Sequence, residues 1–264
     1  MRVILLVMLI YSTSQVAHAA SCTLRMAVET NFPPHLIKQD EQWTGLSIQL
    51  MELLAAEVGC ELQLVNSPWL RSLQLSAQGQ LDVISHLSYT AQRQAQFAFI
   101  GPHHIESIYM IGDPSQLPEV HQLQQLSEQV DFGSIATLHG AYYGEAFEAL
   151  RLNEHFASQL VTIRSIQDKL ALLRAGRVNV ILEDLSVVRY WQQHGYDAAE
   201  RFQPLLKVYE SPVYFGFSKT SLPDTQLQAL ADAWQQLHQQ GKIAEIYHHY
   251  NVSMDANLTP APRL

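Results

Sequence analysis

Two stretches, LSAQGQLDVIS (residues 75–85) and LRAGRVNVILE (residues 173–183), repeat one pattern in the two halves of the chain. Each ends an amphipathic run in a glycine, Gly79 or Gly176, the residue that most readily adopts the left-handed turn closing a helix. Each then continues as an apolar run carrying one polar residue, Asp82 or Asn179. Near-continuous apolar runs of this length read as strands buried on both faces, which is the habit of parallel sheets covered by helices.

Working outward, the same alternation extends in both directions. Before the first stretch come LRMAVE, GLSIQLMELLAAEVG, ELQLV and WLRSLQLSAQG. Around the second come SIATL, EAFEALRLNEHF, LVTI, IQDKLALLRAG and VNVIL. The β-α-β-α rhythm predicts two α/β units, each a mainly parallel sheet flanked by helices. IESIYMIG and VYESPVYFGFSK are strand-like and bracket the second unit, so the chain crosses twice through a two-stranded hinge that permits closure around a ligand. The expected division is residues 20–106 with 212–264 as a first, discontinuous lobe and 107–211 as the second. LQALADAWQQLHQQGKIAEIYHHY reads as a helix stopped at Gly241 and a short second helix, and VSMDANLTPAPRL as a loose tail.

The opening MRVILLVMLIYSTSQVAHAA has one positive charge, a short apolar run and the small-x-small triplet Ala17-His18-Ala19, the pattern of a cleavable secretory signal over residues 1–19. No run approaches the ~20 apolar residues of a spanning helix. The signal implies export, with the periplasm of a Gram-negative envelope as the expected compartment. There, Cys22 and Cys60, the only two cysteines, form a natural disulfide pair, with two buried thiols as the rival reading. Each precedes an alternating strand, so the two strands lie side by side. Without Arg2 the chain carries 15 basic against 25 acidic residues. That excess of negative charge disfavours nucleic acid and anionic membranes as partners and favours a small ligand.

Candidate binding residues fall at the carboxyl ends of the strands, where open α/β sheets bind ligands. In SHLSYTAQRQ, Ser85, Ser88 and Thr90 offer hydroxyls. Thr90 reads as a helix N-cap that puts Arg93 at the third helical position. A cation there opposes the helix dipole, which implies an anionic partner, and its planar fork suits a carboxylate. In HGAYYGE, Gly140 allows close approach, and the N–H groups of Ala141 and Tyr142 would open the next helix as an anion-friendly end. Glu183-Asp184 closes VNVIL and offers a carboxylate for an ammonium group, or simply a helix cap. NFPPH and SPWLR place Phe32, Trp69 and Arg71 on stiff turns where they could wall a pocket.

Together these elements resemble the periplasmic solute-binding proteins of polar amino-acid transporters, family 3, with the type II two-lobed fold. The resemblance runs from LRMAVETNFPPH to GKIAEIYHHY, and FPPH, SPWLR and LSYTAQR are similar to its Pro-Trp-x-Arg branch. It implies that Arg93 holds the ligand α-carboxylate together with the N–H groups of the Gly140, Ala141 and Tyr142 loop. It further implies that Asp184 takes the α-ammonium, that Ser85 and Ser88 are polar contacts beside it, and that Phe32 covers the ligand. His86 stands where a small hydroxyl residue is frequent, and Ala141 and Tyr142 replace a usual threonine pair. These departures bear on the ligand side chain.

Twelve histidines include the adjacent pairs His103-His104 and His248-His249. Neighbours in sequence point apart, and no third ligand stands at metal-site spacing, so no metal and no cofactor are expected. The resemblance implies a monomeric binding protein, not an enzyme, that hands an amino acid or related zwitterion to an inner-membrane ABC-type permease. Two rivals use the same fold: a cyclohexadienyl dehydratase-like enzyme with Glu183 or His86 as proton donor, and a ligand-sensing partner of a membrane sensor.

Overall fold

The computed structural model describes residues 22–29, 32–128, 130–164, 169–196, 199–250, 252 and 264. The expected signal segment and nearly all of the tail lie outside them. The chain begins with β1 (Cys22–Val28), the short hairpin β2 (Ile37–Gln39) and β3 (Gln42–Thr44), α1 (Leu46–Glu57), β4 (Cys60–Asn66) and α2 (Trp69–Ala77). β5 (Val83–Ser88) and the one-turn helix α3 (Ala91–Gln94) lead into the long β6 (Phe97–Gly112). The second lobe follows with β7 (Ile135–Leu138), α4 (Glu145–Leu150), α5 (Glu154–Ser158), β8 (Leu160–Ile163), α6 (Lys169–Arg174), β9 (Val180–Asp184) and α7 (Leu185–Gln193). The equally long β10 (Gln203–Ser218) returns to the first lobe, where α8 (Asp224–Gln239) and α9 (Lys242–His249) pack on α1.

The strands form one sheet in the order β4-β1-β5-β10-β6-β9-β7-β8. β1 is parallel to β4 and β5, and β7 is parallel to β8 and β9, as the buried apolar runs imply. Between these blocks β6 and β10 run antiparallel, paired from Gln203–Gly112 at one end to Ser218–Phe97 at the other. The two lobes share this ribbon, which is the double crossing expected from IESIYMIG and VYESPVYFGFSK. Its register shifts at three places, between Pro204 and Leu206, Lys207 and Tyr209, and Val213 and Phe215.

The polar residue in each repeated stretch has the same task. Asp82 accepts from the Arg25 backbone N–H at 2.8 Å and grips the Arg25 guanidinium at 2.7 Å, fixing β5 beside β1. Asn179 accepts from the Ser134 N–H and hydroxyl, both at 3.0 Å, fixing β9 beside β7. One carboxylate or amide at the mouth of each central strand thus sets its register. Apolar cores lie against both parts of the sheet. Leu24, Met26, Ile48, Leu54, Leu230 and Trp234 fill the first, and Met110, Phe132, Ile135, Phe147, Phe156 and Leu182 the second. Cys22 and Cys60 are register partners on β1 and β4 and form the disulfide.

One segment departs from the sequence reading. EAFEALRLNEHF is two short helices, because the Asn153 side chain accepts from the Phe156 N–H at 3.0 Å and starts a new helix after Leu152, which is left in solvent. An Asn that bonds its own backbone competes with helix continuation in this way. No helix among the described residues is long and apolar enough to cross a membrane.

Candidate functional site

A cavity of about 100 Å³ opens between the lobes at the carboxyl ends of β1, β5 and β9. The first lobe contributes Glu29, Phe32, Trp69, Ser85, His86, Ser88 and Arg93 to its wall, and the second contributes Ala141, Tyr142, Tyr143, Lys169 and Glu183. Glu106, on the shared ribbon, completes it.

Arg93 is placed as its sequence context requires. Thr90 caps α3, accepting from the Arg93 N–H at 3.2 Å. The guanidinium then reaches back to donate to the Ser88 carbonyl at 2.9 Å and across to the Gly140 carbonyl of the second lobe at 3.1 Å. With five N–H donors on the group, further donors remain for an anionic guest. Burial is the main influence on Arg93, depressing its pKa, while the nearby Glu106, Tyr209 and Tyr142 oppose it.

Two carboxyl groups reach the cavity, Glu183, which is buried, and Glu106, which is partly buried; burial raises the Glu183 pKa, with Lys169 pulling against it. Glu183 lies 3.1 Å from the Lys169 ammonium, itself buried and also donating to the Leu182 carbonyl at 2.8 Å. Burial works against the Lys169 charge, but Glu183, Tyr143 and Glu106 outweigh it and raise the pKa, so the ammonium persists. Burial pushes the Glu106 carboxyl up to about 8, and the carboxylates of Asp184 and Glu183 add to the rise against the pull of Lys169 and Arg93.

Asp184, the residue that sequence resemblance gives to the ligand ammonium, stands elsewhere. It is not on the cavity wall, and its carboxylate is engaged on all sides as the cap of α7. One oxygen accepts from the Ser186 N–H at 2.7 Å and from the Ser186 hydroxyl. The other accepts from the Ser107 N–H at 2.7 Å and lies 3.4 Å from His104 Nε2. Burial alone would raise Asp184, but His104 and Ser186 hold its carboxyl down at about 2. The alternation of β9 explains the swap, since consecutive strand residues face opposite sides and Glu183 takes the cavity side.

Other expected positions divide similarly. Phe32, Trp69, Ser85, His86, Ser88, Ala141 and Tyr142 line the cavity. Arg71 is exposed and off the wall. The expected helix start at Ala141–Tyr142 is corrected to Glu145, because the Ala141 N–H is already spent on the Leu138 carbonyl at 3.2 Å. The loop therefore offers a carbonyl, at Gly140, where amide donors were expected. His86 holds a left-handed φ of 55°, a region uncommon outside glycine, and its backbone N–H meets His103 Nε2 at 3.3 Å. Glu106 and Lys169 had no sequence signal beyond a lone charge in an apolar strand and a lysine at a helix start.

Two lobes joined by a pair of continuous strands, with a charged cavity between them, define a two-lobed binding protein of the type II periplasmic class. The chain belongs to the bacterial extracellular solute-binding proteins, family 3, whose family model matches residues 24–253. It is 25% identical over 198 residues to "Putative ABC transporter arginine-binding protein 2" of Escherichia coli (strain K12), covering 72% of this chain and 74% of that one. An ancestral arginine-binding protein bound to arginine superposes with a TM-score of 0.72 at 17% identity, over 86% of this chain and 97% of the other. A histidine kinase sensor domain with similarity to periplasmic binding proteins gives 0.73 at 17% identity, over 87% and 96%. At these identities both structures speak to fold alone.

Proposed function

We propose that the protein captures a zwitterionic α-amino acid between its lobes and delivers it to an ABC-type permease of the inner membrane. The observation that carries this reading is the pairing of opposite charges on one interlobe cavity, with Arg93 from the first lobe and Glu183 from the second. The Arg93 fork suits the α-carboxylate, displacing its hold on the Gly140 carbonyl. Glu183, and not Asp184, then receives the α-ammonium, with Ser85 and Ser88 as neighbouring hydroxyls. Phe32, Trp69 and Tyr142 supply the apolar wall for the side chain, close to the Glu29 carboxylate that accepts from the Trp69 backbone N–H at 2.6 Å. A ligand touching both lobes favours the closed state by its differential affinity, which is the signal a permease can read.

The test is the melting temperature of mature protein, refolded to strip carried-over ligand, against a panel of α-amino acids that includes L-arginine. A ligand at a hundred times its dissociation constant adds about 2.7 kcal/mol, roughly 5–10 °C for a chain of this size. Arg93→Ala should abolish the response. A flat panel, or an undiminished response in Arg93→Ala, refutes the reading.

A further inference from the structure

Behind the solute cavity lies a second constellation that solute binding does not use. His35 sits on the turn after β1, His104 in the shared ribbon, and Asp184 at the start of α7. All three are buried, at 0%, 8% and 1% exposure. Each offers a ligand atom, and the three atoms lie within 4.8 Å of one another, the one such group among the described residues. We propose that His35, His104 and Asp184 form a site for one divalent transition-metal ion of the zinc class, bridging the two lobes beside the hinge.

One edge of the triangle already has the spacing that ion needs, and the whole set lies within 4.8 Å. Two ligands held at about 2.0–2.1 Å in a tetrahedral arrangement lie about 3.3–3.4 Å apart. His104 Nε2 and Asp184 Oδ2 are already separated by 3.4 Å. Two imidazoles and one carboxylate form a borderline donor set that suits Zn²⁺, Ni²⁺ or Cu²⁺, whereas Ca²⁺ and Mg²⁺ favour oxygen ligands. Three protein ligands also leave a fourth position open, as in zinc sites that bind an exchangeable water.

The supports for these ligands are in place. The Ser107 and Ser186 N–H groups orient the Asp184 carboxylate, the kind of outer contact that fixes a metal ligand. His35 is anchored through its backbone, donating to the Phe32 carbonyl and accepting from the Ser47 N–H, both at 3.0 Å. A Cβ at Gly45, whose φ is +121°, would collide with the His35 carbonyl, so only glycine allows this turn to close. His35 Nδ1 has no hydrogen-bond partner, nor has Nε2 of His86, whose ring packs 4.3 Å from that of His35. A buried nitrogen left unmatched normally finds a partner, and an ion bound at this cluster would supply one to the His35 ring, though not to His86. A cleft of about 670 Å³ lined by His104, Ser107, Asp184, Ser186 and Arg189 gives the ion a path from solvent.

His35 belongs to the first lobe and Asp184 to the second. The three ligands therefore meet in the arrangement seen here, with the lobes in contact through His35 Nε2 and the Ser186 hydroxyl at 3.2 Å. The ion is bound most tightly by that arrangement and stabilises it in return.

The test is calorimetric titration of Zn²⁺ into EDTA-stripped, disulfide-intact mature protein, without amino acid present. One ion per chain is expected at micromolar affinity or tighter, with His35→Gln and His104→Asn each losing at least about 100-fold, more than an outer-shell change costs. A His248→Asn/His249→Asn variant should bind as the parent does. Absence of one-to-one binding, or binding lost with the terminal pair and kept in His35→Gln and His104→Asn, overturns the proposal. Should those two variants fail to fold, Cu²⁺ in the parent decides by electron paramagnetic resonance. Hyperfine coupling to two imidazole nitrogens supports the site, and coupling to none or to one refutes it.

Discussion

Replacing both members of the disulfide, as Cys22→Ser/Cys60→Ser, should separate stability from function. The bridge closes a loop with a sequence separation of 38 residues. In the chain-entropy description, cross-linking a loop of this size removes roughly 13 cal/mol/K from the unfolded chain, about 4 kcal/mol at 25 °C. At roughly 2–4 °C per kcal/mol for a chain of this length, the melting temperature should fall by about 8–16 °C. The cavity should not notice. Cys22 opens β1 and Glu29, just beyond its end, lines the cavity. Seven residues of strand put about 20 Å between them. Parallel melts of parent and variant by circular dichroism, with ligand titrations at a temperature where both are folded, give the two numbers. A melting shift under about 2 °C would show that the unfolded chain is not being constrained as reasoned. An affinity loss matching the stability loss would show that the edge strand and the cavity are coupled.

Other consequences are open to the same instruments. Glu183→Gln strands the Lys169 ammonium in the interior, which should cost about 3–5 kcal/mol, whereas Lys169→Met/Glu183→Leu should recover stability by chemical denaturation yet not recover ligand binding. Leu230→Ala, at a fully buried position of α8, should cost about 2–5 kcal/mol with ligand affinity unchanged. Burial tends to raise the Asp82 pKa, but the Arg25 hydrogen bonds and charge outweigh it and the folded value is depressed. The stability this contributes is present above the unfolded pKa and is lost as pH falls through the folded value, so Asp82→Asn should flatten the acid limb of a stability–pH profile.

Much of this architecture is written locally. A glycine after an amphipathic run and a strand with one polar residue announce the unit twice, and Asp82 and Asn179 show why that residue is polar. Thr90 and Arg93 were legible because a cap and its helix are contiguous. Cys22 and Cys60 were legible because each heads an alternating strand. What escaped depends on contacts far apart in sequence. Lys169 reads as an ordinary solvent-facing lysine until Glu183 closes on it from the neighbouring strand. Glu183 and Asp184 are equivalent in a sequence pattern, and only the facing of β9 decides which reaches the cavity. The adjacent pair His103-His104 drew attention to itself for the wrong reason, since the partners of His104 are His35 and Asp184, each from a different lobe. The break at Asn153 and the late start of α4 show side-chain and loop hydrogen bonds overruling helical periodicity.

The ribbon of β6 and β10 bears on how such a molecule moves. Its two strands are paired from end to end apart from the three register shifts, and both pass from one lobe to the other. Opening therefore has to be a torsion of an intact ladder, concentrated where the three register shifts already increase local twist. Amides of the ladder would stay protected from hydrogen exchange in open and closed forms alike. The part of the protein that flexes most would then be among the slowest to exchange.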